Sequence, residues 1–147
     1  MLLIKDWGKE LPFNIQDQTI FYVGPTPSKP GQVFGSGGPT TSGRMDAYSP
    51  RLIKLGLHAM IGKGYRSDAV KKAIVDYHGV YFGAIGGAGA MMSSCIEECE
   101  VIAFDDLGPE AIRKLKVKNM PLVVVIDHLG NDLYEIGRKN YLKKDCK

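Results

Sequence analysis

The sequence predicts an α/β fold in which helices cover a central sheet, and three observations point to it. The apolar runs at residues 57–61, 80–85 and 122–127 have the length and composition of buried strands. A helical pattern separates the first two runs, so strands and helices alternate from residue 57 onward. The chain has 147 residues, 44% hydrophobic and 24% charged, which is typical of one domain spanning residues 1–147.

The first half of the chain is predicted to be rich in loops. Residues 19–23 form a β-rich run and are expected to be a strand. Glycines and prolines then crowd residues 24–38, and a loop of this length within a domain is typical of a functional segment. We expect a short turn at Arg44 and a helix that restarts with Ser49 as N-cap and Pro50 as first helical residue.

The second half carries the clearest helix of the sequence. It is capped by Ser67 or Asp68 and ends at Gly79. A turn of small residues at 86–89 leads into another helix that continues to about Cys95. The helix that begins at Ser67 or Asp68 has an apolar stripe formed by Ala69, Val70, Ala73, Ile74 and Tyr77.

Three further elements are predicted near the end of the chain. Residues 100–104 are expected to be a strand. A short helix is expected to begin at Gly108 with Pro109 as its first helical residue. The turn at residues 130–132 leads into a last strand at 133–136.

Composition and charge exclude several classes of function. A net charge of +3 with scattered basic residues gives no reason to expect a nucleic-acid partner. No apolar run reaches the length that crosses a bilayer, so we expect no membrane partner. Three cysteines, an odd number without a secretory signal, favour a reduced, cytoplasmic setting.

The most informative stretch is the glycine-rich segment 37–46, which predicts a site for an acidic ligand. Three hydroxyls (Thr40, Thr41 and Ser42) and Arg44 stand where the loop enters a helical turn. A helix cap needs one hydroxyl and no arginine, so capping alone does not explain the pattern. Lys63 follows an apolar run at the predicted carboxyl end of a strand, where open α/β sheets bind ligands.

Other candidate sites are weaker. The turn at residues 86–89 lacks both the dinucleotide pattern and a Walker lysine, so close packing is the better interpretation, with a backbone contribution to the same pocket as the alternative. Cys95 and Cys99 would share one helix face, but no second Cys/His pair exists at a spacing that suits a metal. The three histidines are scattered, so structural or exposed positions are expected for them.

Four segments are combined in one chain: Gly-Pro-Thr-Thr-Ser-Gly-Arg-Met-Asp at 38–46, Lys-Gly at 63–64, the turn at 86–90, and residues 127–131. Together they resemble the β subunit of the class I iron–sulfur hydro-lyases, the class I fumarases and L(+)-tartrate dehydratases. The similarity runs from about residue 11 to residue 134. The first motif with its following Lys-Gly is far more specific than a glycine-rich loop alone.

The resemblance implies a swivelling β/β/α domain and the reversible hydration of fumarate to L-malate. It implies that Thr40 takes the proton from the substrate carbon, while Arg44 and Lys63 bind substrate carboxylates beside Thr41 and Ser42. It also implies a [4Fe–4S] cluster whose cysteines lie in an α subunit, or in the N-terminal domain of fused members, so that this chain supplies no metal ligand. The expected partners are that α subunit, in an oligomeric assembly, and a C4 dicarboxylate.

One departure from the family pattern is visible. The β subunits usually carry an upstream Arg-Asp-x-x-His segment, and this chain has none, as if it were a fragment or had lost that part. We therefore expect no hydratase activity from the isolated chain. Two alternatives stay open beside fumarate hydratase: an L(+)-tartrate dehydratase β subunit, and a non-catalytic module for dicarboxylate binding or assembly.

Overall fold

A four-stranded mixed sheet forms the centre of the fold. The structure is a computed structural model that describes residues 11–142. Its elements are β1 (Thr19–Phe21), α1 (Ser49–Lys54), β2 (Ala59–Gly62), α2 (Asp68–Asp76), β3 (Val80–Gly83), α3 (Gly89–Ser94), β4 (Ile96–Ala103), β5 (Ile112–Val117), β6 (Val123–Ile126) and α4 (Leu133–Leu142). The sheet order is β1-β2-β3-β6; the first three strands are parallel, and β6 pairs antiparallel with β3. The predicted α/β fold is confirmed, as are the strands expected at 19–23, 57–61, 80–85 and 122–127.

Helices cover both faces of this sheet. Helices α1 and α2 contact each other and pack on the face that carries Met60 and Tyr81. Helix α3 packs on the opposite face, where Met92 is buried against Ile61 and Ala84. Neighbouring residues of β2 thus point into different cores, which explains why this strand is a continuous apolar run. No helix within residues 11–142 combines the length and the apolar content that crossing a bilayer requires.

Helix α2 begins and packs largely as predicted. Ser67 is its N-cap and accepts a hydrogen bond from the Val70 amide at 3.4 Å. Val70 and Ile74 are fully buried and Ala73 is nearly so. The helix ends at Asp76, however, and the predicted stripe residues Ala69 and Tyr77 are exposed.

A separate antiparallel hairpin, β4 with β5, corrects three predictions. The strand expected at 100–104 already begins at Ile96, immediately after α3 ends at Ser94. Cys95 and Cys99 therefore do not share a helix face, because Cys99 lies in β4. The helix expected at Pro109 is absent: Gly108 breaks a short 3-10 segment with φ 55° and ψ −116°, and the chain continues into β5.

Opposite charges hold the hairpin in register. Glu98 faces Lys116 across the two strands and Glu100 faces Lys114. The Lys116 ammonium donates a hydrogen bond to Glu98 at 2.7 Å. The complementary charge pattern of the two segments was the available sequence signal for β5.

The prediction of a last strand at residues 133–136 is wrong, because the chain forms α4 there. Asp132 accepts a hydrogen bond from the Tyr134 amide at its Oδ1, 2.9 Å away, which caps the helix start. Asp132 and Glu135 also both contact the Lys71 ammonium of α2, Asp132 Oδ2 at 2.9 Å. The Asp132 carboxylate, and to a lesser degree that of Glu135, raises the pKa of Lys71. The helix-start signal of Asp132 and Glu135 therefore outweighs the strand propensity of the residues at 133–136.

Replacing Lys71 tests this anchoring of α4. Asp132 is buried, so Lys71→Met leaves a carboxylate without its cation, and we expect a loss of about 2–3 kcal/mol in the free energy of unfolding. Lys72→Met is the matched control, because Lys72 pairs only with Asp76 on the exposed face of the same helix. Urea denaturation of both variants measures the difference. Equal losses for the two would contradict the anchoring role.

Candidate active site

The predicted loop lies at the carboxyl ends of β1 and β2. The Thr40 amide donates to Tyr22 O at 2.8 Å, directly after β1. The Lys63 amide donates to Thr40 O at 3.3 Å and the Ser42 amide to Lys63 O at 3.0 Å, directly after β2. The loop thus joins the sheet through two isolated bridges, Val23 with Pro39 antiparallel and Thr41 with Lys63 parallel. Backbone hydrogen bonds bring Thr40 and Lys63 side by side, as the sequence interpretation requires.

The Thr40 hydroxyl has a defined direction. It donates to the same Tyr22 carbonyl at 3.1 Å, while the residue remains exposed. Because its proton is directed at the carbonyl, the lone pairs of Oγ1 are left for other contacts.

Two cations are exposed on the same loop assembly. Arg44 belongs to a 3-10 segment, Ser42–Met45, which confirms the predicted short turn, and Lys63 follows β2. Within residues 11–142 neither side chain has an ion-pair partner. Both cations are therefore available to an anionic ligand. Thr41, also predicted as a ligand contact, is exposed beside them.

Ser42 is placed inside the protein and not on this exposed surface. It has no exposed area, and its hydroxyl lies 3.0 Å from the Tyr81 hydroxyl, which also donates to Gly64 O at 3.1 Å. Burial raises the pKa of Tyr81, so its phenol keeps the proton that these contacts need. The Ser42 hydroxyl thus joins the loop to the sheet, and its predicted contact with substrate stays a prediction.

Gly62 makes the burial of Ser42 possible. A Cβ at position 62 would lie 1.8 Å from Ser42 Oγ and 3.2 Å from Tyr22 Cδ2. No side chain fits there unless the loop moves. The last residue of β2 therefore has to be glycine for the loop to approach the sheet this closely.

A buried arginine that the sequence analysis did not single out connects the loop to its surroundings. The Arg66 Nε donates to Asp46 Oδ1 at 2.7 Å, its Nη2 donates to Ser49 Oγ at 2.8 Å, and its Nη1 lies 3.4 Å from Met60 Sδ. Ser49 is the first residue of α1, so the prediction that it is the N-cap is wrong. Its hydroxyl donates to Met45 O and accepts from Arg66 instead of capping the helix. An arginine close to the Lys-Gly pair, with an aspartate ending the motif, was the available signal.

The glycine-rich part of the loop packs against α3. The Gly37 amide donates to Gly89 O at 3.2 Å and also lies 3.0 Å from Ser93 Oγ. A Cβ on Gly89 would lie 2.7 Å from Ser36 Oγ and 3.1 Å from Gly38 N. Gly89 thus serves close packing against the candidate loop, whereas a Cβ on Gly86 or Gly87 would meet nothing within 4 Å.

Comparison with known proteins identifies the family of the chain. Residues 2–137 match the family model described as the fumarase C-terminus. The chain belongs to the fumarase C-terminus family. The family resemblance predicted from the motif at 38–46 is therefore confirmed.

This chain covers a different share of the length of each relative. "Fumarate hydratase class I, anaerobic" of Escherichia coli (strain K12) is 42% identical over 132 residues, which are 88% of this chain and 24% of that protein. "Fumarate hydratase 1, mitochondrial" of Leishmania major is 39% identical over 130 residues, 87% of this chain and 24% of that protein. "Putative L(+)-tartrate dehydratase subunit beta" of Methanocaldococcus jannaschii is 37% identical over 143 residues, 92% and 73% of the two chains. The chain spans about a quarter of the length of the two fumarate hydratases.

The described part of this family member does not fit a [4Fe–4S] cluster. Such a cluster is held by cysteine thiolates, and residues 11–142 contain no group of three or more potential metal ligands. The Cys95 thiol donates to Met91 O and Asn119 O, at 3.5 and 3.6 Å. Burial raises the pKa of Cys99, which favours the thiol over the thiolate. Cys146 lies outside the described residues.

The candidate face is open. Two clefts of about 570 and 330 Å³ lie elsewhere, one between α1 and α2 and one between the proline-rich loop and the hairpin. Thr40, Arg44 and Lys63 line neither of them. All three residues are exposed to solvent.

A double-mutant test addresses the close approach of loop and sheet. Gly62→Ala is expected to lower the free energy of unfolding by about 3 kcal/mol, because the new methyl group overlaps Ser42 Oγ. Adding Ser42→Ala removes the overlapping oxygen, so the double variant should be more stable than Gly62→Ala alone. Gly137→Ala in α4, where a Cβ meets open space, is the control and should be stabilising or neutral. A double variant less stable than Gly62→Ala would contradict this account.

Proposed function

We propose that this chain is the β part of a class I hydro-lyase that reversibly hydrates fumarate to L-malate. One observation carries the proposal: Thr40 is hydrogen-bonded into the carboxyl edge of the sheet beside Lys63, and Arg44 follows on the same loop. Both cations lack an ion-pair partner within residues 11–142. The relatives that share the family domain include proteins named as class I fumarate hydratases.

The two cations suit a dicarboxylate. The Arg44 guanidinium offers a planar fork of donors that matches one carboxylate in two hydrogen bonds. The Lys63 ammonium is a compact charge with rotatable donors, which suits the second carboxylate. The exposed hydroxyl and amide groups near Thr41 can add neutral contacts.

Thr40 is assigned the proton transfer. In the direction of dehydration, a proton leaves the carbon next to a carboxylate and passes to Thr40 Oγ1 while hydroxide leaves the neighbouring carbon. A threonine alkoxide is a strong base but a scarce one, so it requires stabilisation by nearby positive charge. Lys63 and Arg44 supply that charge. In the resting state the Thr40 hydroxyl keeps its proton and donates a hydrogen bond to Tyr22 O, so this proton has to pass to solvent before Thr40 acts as the base.

The proposal assigns the [4Fe–4S] cluster to an α partner. The cluster would supply a Lewis acid for the departing hydroxyl group, a role for which the described residues of this chain offer no candidate. One fact supports a partner: the M. jannaschii relative is named as a subunit beta. The relatives named as fumarate hydratases are about four times as long as the matched region, so in those proteins further sequence accompanies this domain within one chain. The open candidate face agrees with a pocket completed by another polypeptide in an oligomeric assembly.

L(+)-tartrate dehydration is the second candidate. It is favoured by the M. jannaschii relative, whose length this chain covers to 73%. Tartrate is also a four-carbon dicarboxylate, so the same two cations would bind it. An assay with both substrates separates the two functions.

Variants of Thr40 test its role as the base. In the complex with the α partner, assayed under anaerobic conditions, Thr40→Val is expected to lower kcat by about 10²–10⁴-fold, because it removes the proton acceptor. Thr40→Ser keeps the hydroxyl and should retain most of the activity. Normal turnover by Thr40→Val would exclude Thr40 as the base. A wild-type complex that binds fumarate without converting fumarate or tartrate would favour the non-catalytic module.

Variants of the cations test substrate binding. Lys63→Met is expected to lower kcat/KM by about 10- to 100-fold, since it removes a charged hydrogen bond to a carboxylate. Arg44→Lys should lower it as well, because the ammonium group cannot form two parallel hydrogen bonds. Lys72→Met is the control, because it removes an exposed lysine of α2 that is not proposed to bind substrate. Its kcat/KM should stay unchanged. Unchanged kcat/KM in both site variants would place the pocket elsewhere.

A further inference from the structure

We infer that Arg66 is a positioning residue of the candidate active site. Its buried guanidinium holds the segment that carries Thr40 and Arg44 in register with Lys63, without itself contacting substrate. The inference rests on the proposed function only for its effect on the reaction. The placement itself can be tested on the chain alone.

The Asp46 carboxylate is the junction of the two segments. Its Oδ1 accepts from Arg66 Nε at 2.7 Å and its Oδ2 from the Ser67 amide at 2.5 Å. Asp46 is the C-cap of the 3-10 segment Ser42–Met45 and follows Arg44 by two residues. Lys63 stands three residues before Arg66. Chain segments this short span only about 3.5 Å per residue, so fixing Asp46 and Arg66 limits how far the two cations can separate.

Two tyrosines extend the connection to the remaining site residues. The Arg66 Cζ lies 4.9 Å from the ring centroid of Tyr81 and 5.6 Å from that of Tyr22. Tyr22 O accepts both hydrogen bonds from Thr40, and the Tyr81 hydroxyl contacts Ser42. A displacement of the guanidinium would therefore shift Tyr22 and with it Thr40. It would also shift Tyr81 and with it the buried Ser42.

Stability alone does not account for a charge in this position. The Arg66 side chain has no exposed area and Asp46 only 15%. Apolar residues of similar volume in place of a buried ion pair are often as stable or more so, because they avoid the desolvation cost. The guanidinium instead supplies directed contacts with the loop, α1 and β2 at fixed angles. Directed contacts are what a site needs when small displacements cost rate.

Hydrogen exchange measures the placement directly. The amides of Thr40, Ser42 and Lys63 donate the backbone hydrogen bonds that attach the loop to the sheet, and we call them the ladder amides. The Val80 amide donates to His58 O at the amino ends of β2 and β3, away from the loop. In the full chain, Arg66→Lys and Asp46→Asn should each lower protection of the three ladder amides more than that of Val80. Ile74→Ala is the control, because it removes a fully buried side chain from the main core and lowers the stability of the whole fold, so protection of all four amides should fall together.

Kinetics of the same variants in the complex with the α partner test the consequence. Arg66→Lys is expected to raise KM and to lower kcat, with a loss in kcat/KM of about 10²-fold. Ile74→Ala should reduce only the amount of folded enzyme, so KM stays unchanged. The acid and alkaline limbs of the pH profile should not move in Arg66→Lys, since Arg66 is not proposed to exchange protons.

The outcomes separate the two proposals. Unchanged protection of the ladder amides in Arg66→Lys and Asp46→Asn would overturn the inference, whatever the activity. Selective loss of protection with unchanged KM and kcat would show that placement does not govern the reaction and would also overturn it. A wild-type complex without hydratase or dehydratase activity would refute the proposed function, and the exchange experiment would still decide whether Arg66 holds the loop.

Discussion

The candidate site depends most on the ion pair between the buried Arg66 guanidinium and the Asp46 carboxylate. Bringing these charges out of water costs several kcal/mol for each ion, and the cost is offset only where every donor finds a partner. Each of the three guanidinium nitrogens of Arg66 has a hydrogen-bonding partner, in Asp46, Ser49 and Met60. Because those partners belong to the loop, α1 and β2, satisfying one side chain also fixes three segments relative to one another.

The loop has two sides with opposite properties. On the inner side Ser42 and the Tyr81 hydroxyl are satisfied by each other and by the backbone, and Gly62 leaves the space that this contact needs. A satisfied buried polar network in a low dielectric is rigid, since any displacement leaves a polar group without a partner. On the outer side Arg44 and Lys63 lack a counter-charge within the described chain. Rigid support beneath unpaired cations is what a preorganised anion site requires.

Local patterns sufficed to predict elements whose residues determine their own structure. The run at 57–61 is apolar enough to be a buried strand, and Ser67 caps α2. The hairpin strand β5 and helix α4 were missed because distant partners decide them: Glu98 and Glu100 in the first case, Lys71 in the second. Likewise Thr40 and Lys63 could be predicted from residue type and spacing. Arg66 was missed: its closeness to the Lys-Gly pair was a sequence signal, but only the folded chain shows that it is buried.

Solvent exposure sets how strongly the two cations can act. A unit charge pair at 4 Å gains about 1 kcal/mol in water and about 4 kcal/mol at an effective dielectric constant of 20. Arg44 and Lys63 stand on an open surface, so within this chain they work near the weak limit, and salt screens them further. The same reasoning applies to Thr40, whose alkoxide would be stabilised little by cations in contact with bulk water. Covering this face by another polypeptide would strengthen each interaction without moving a residue, because Arg66 and Asp46 already hold the loop in place.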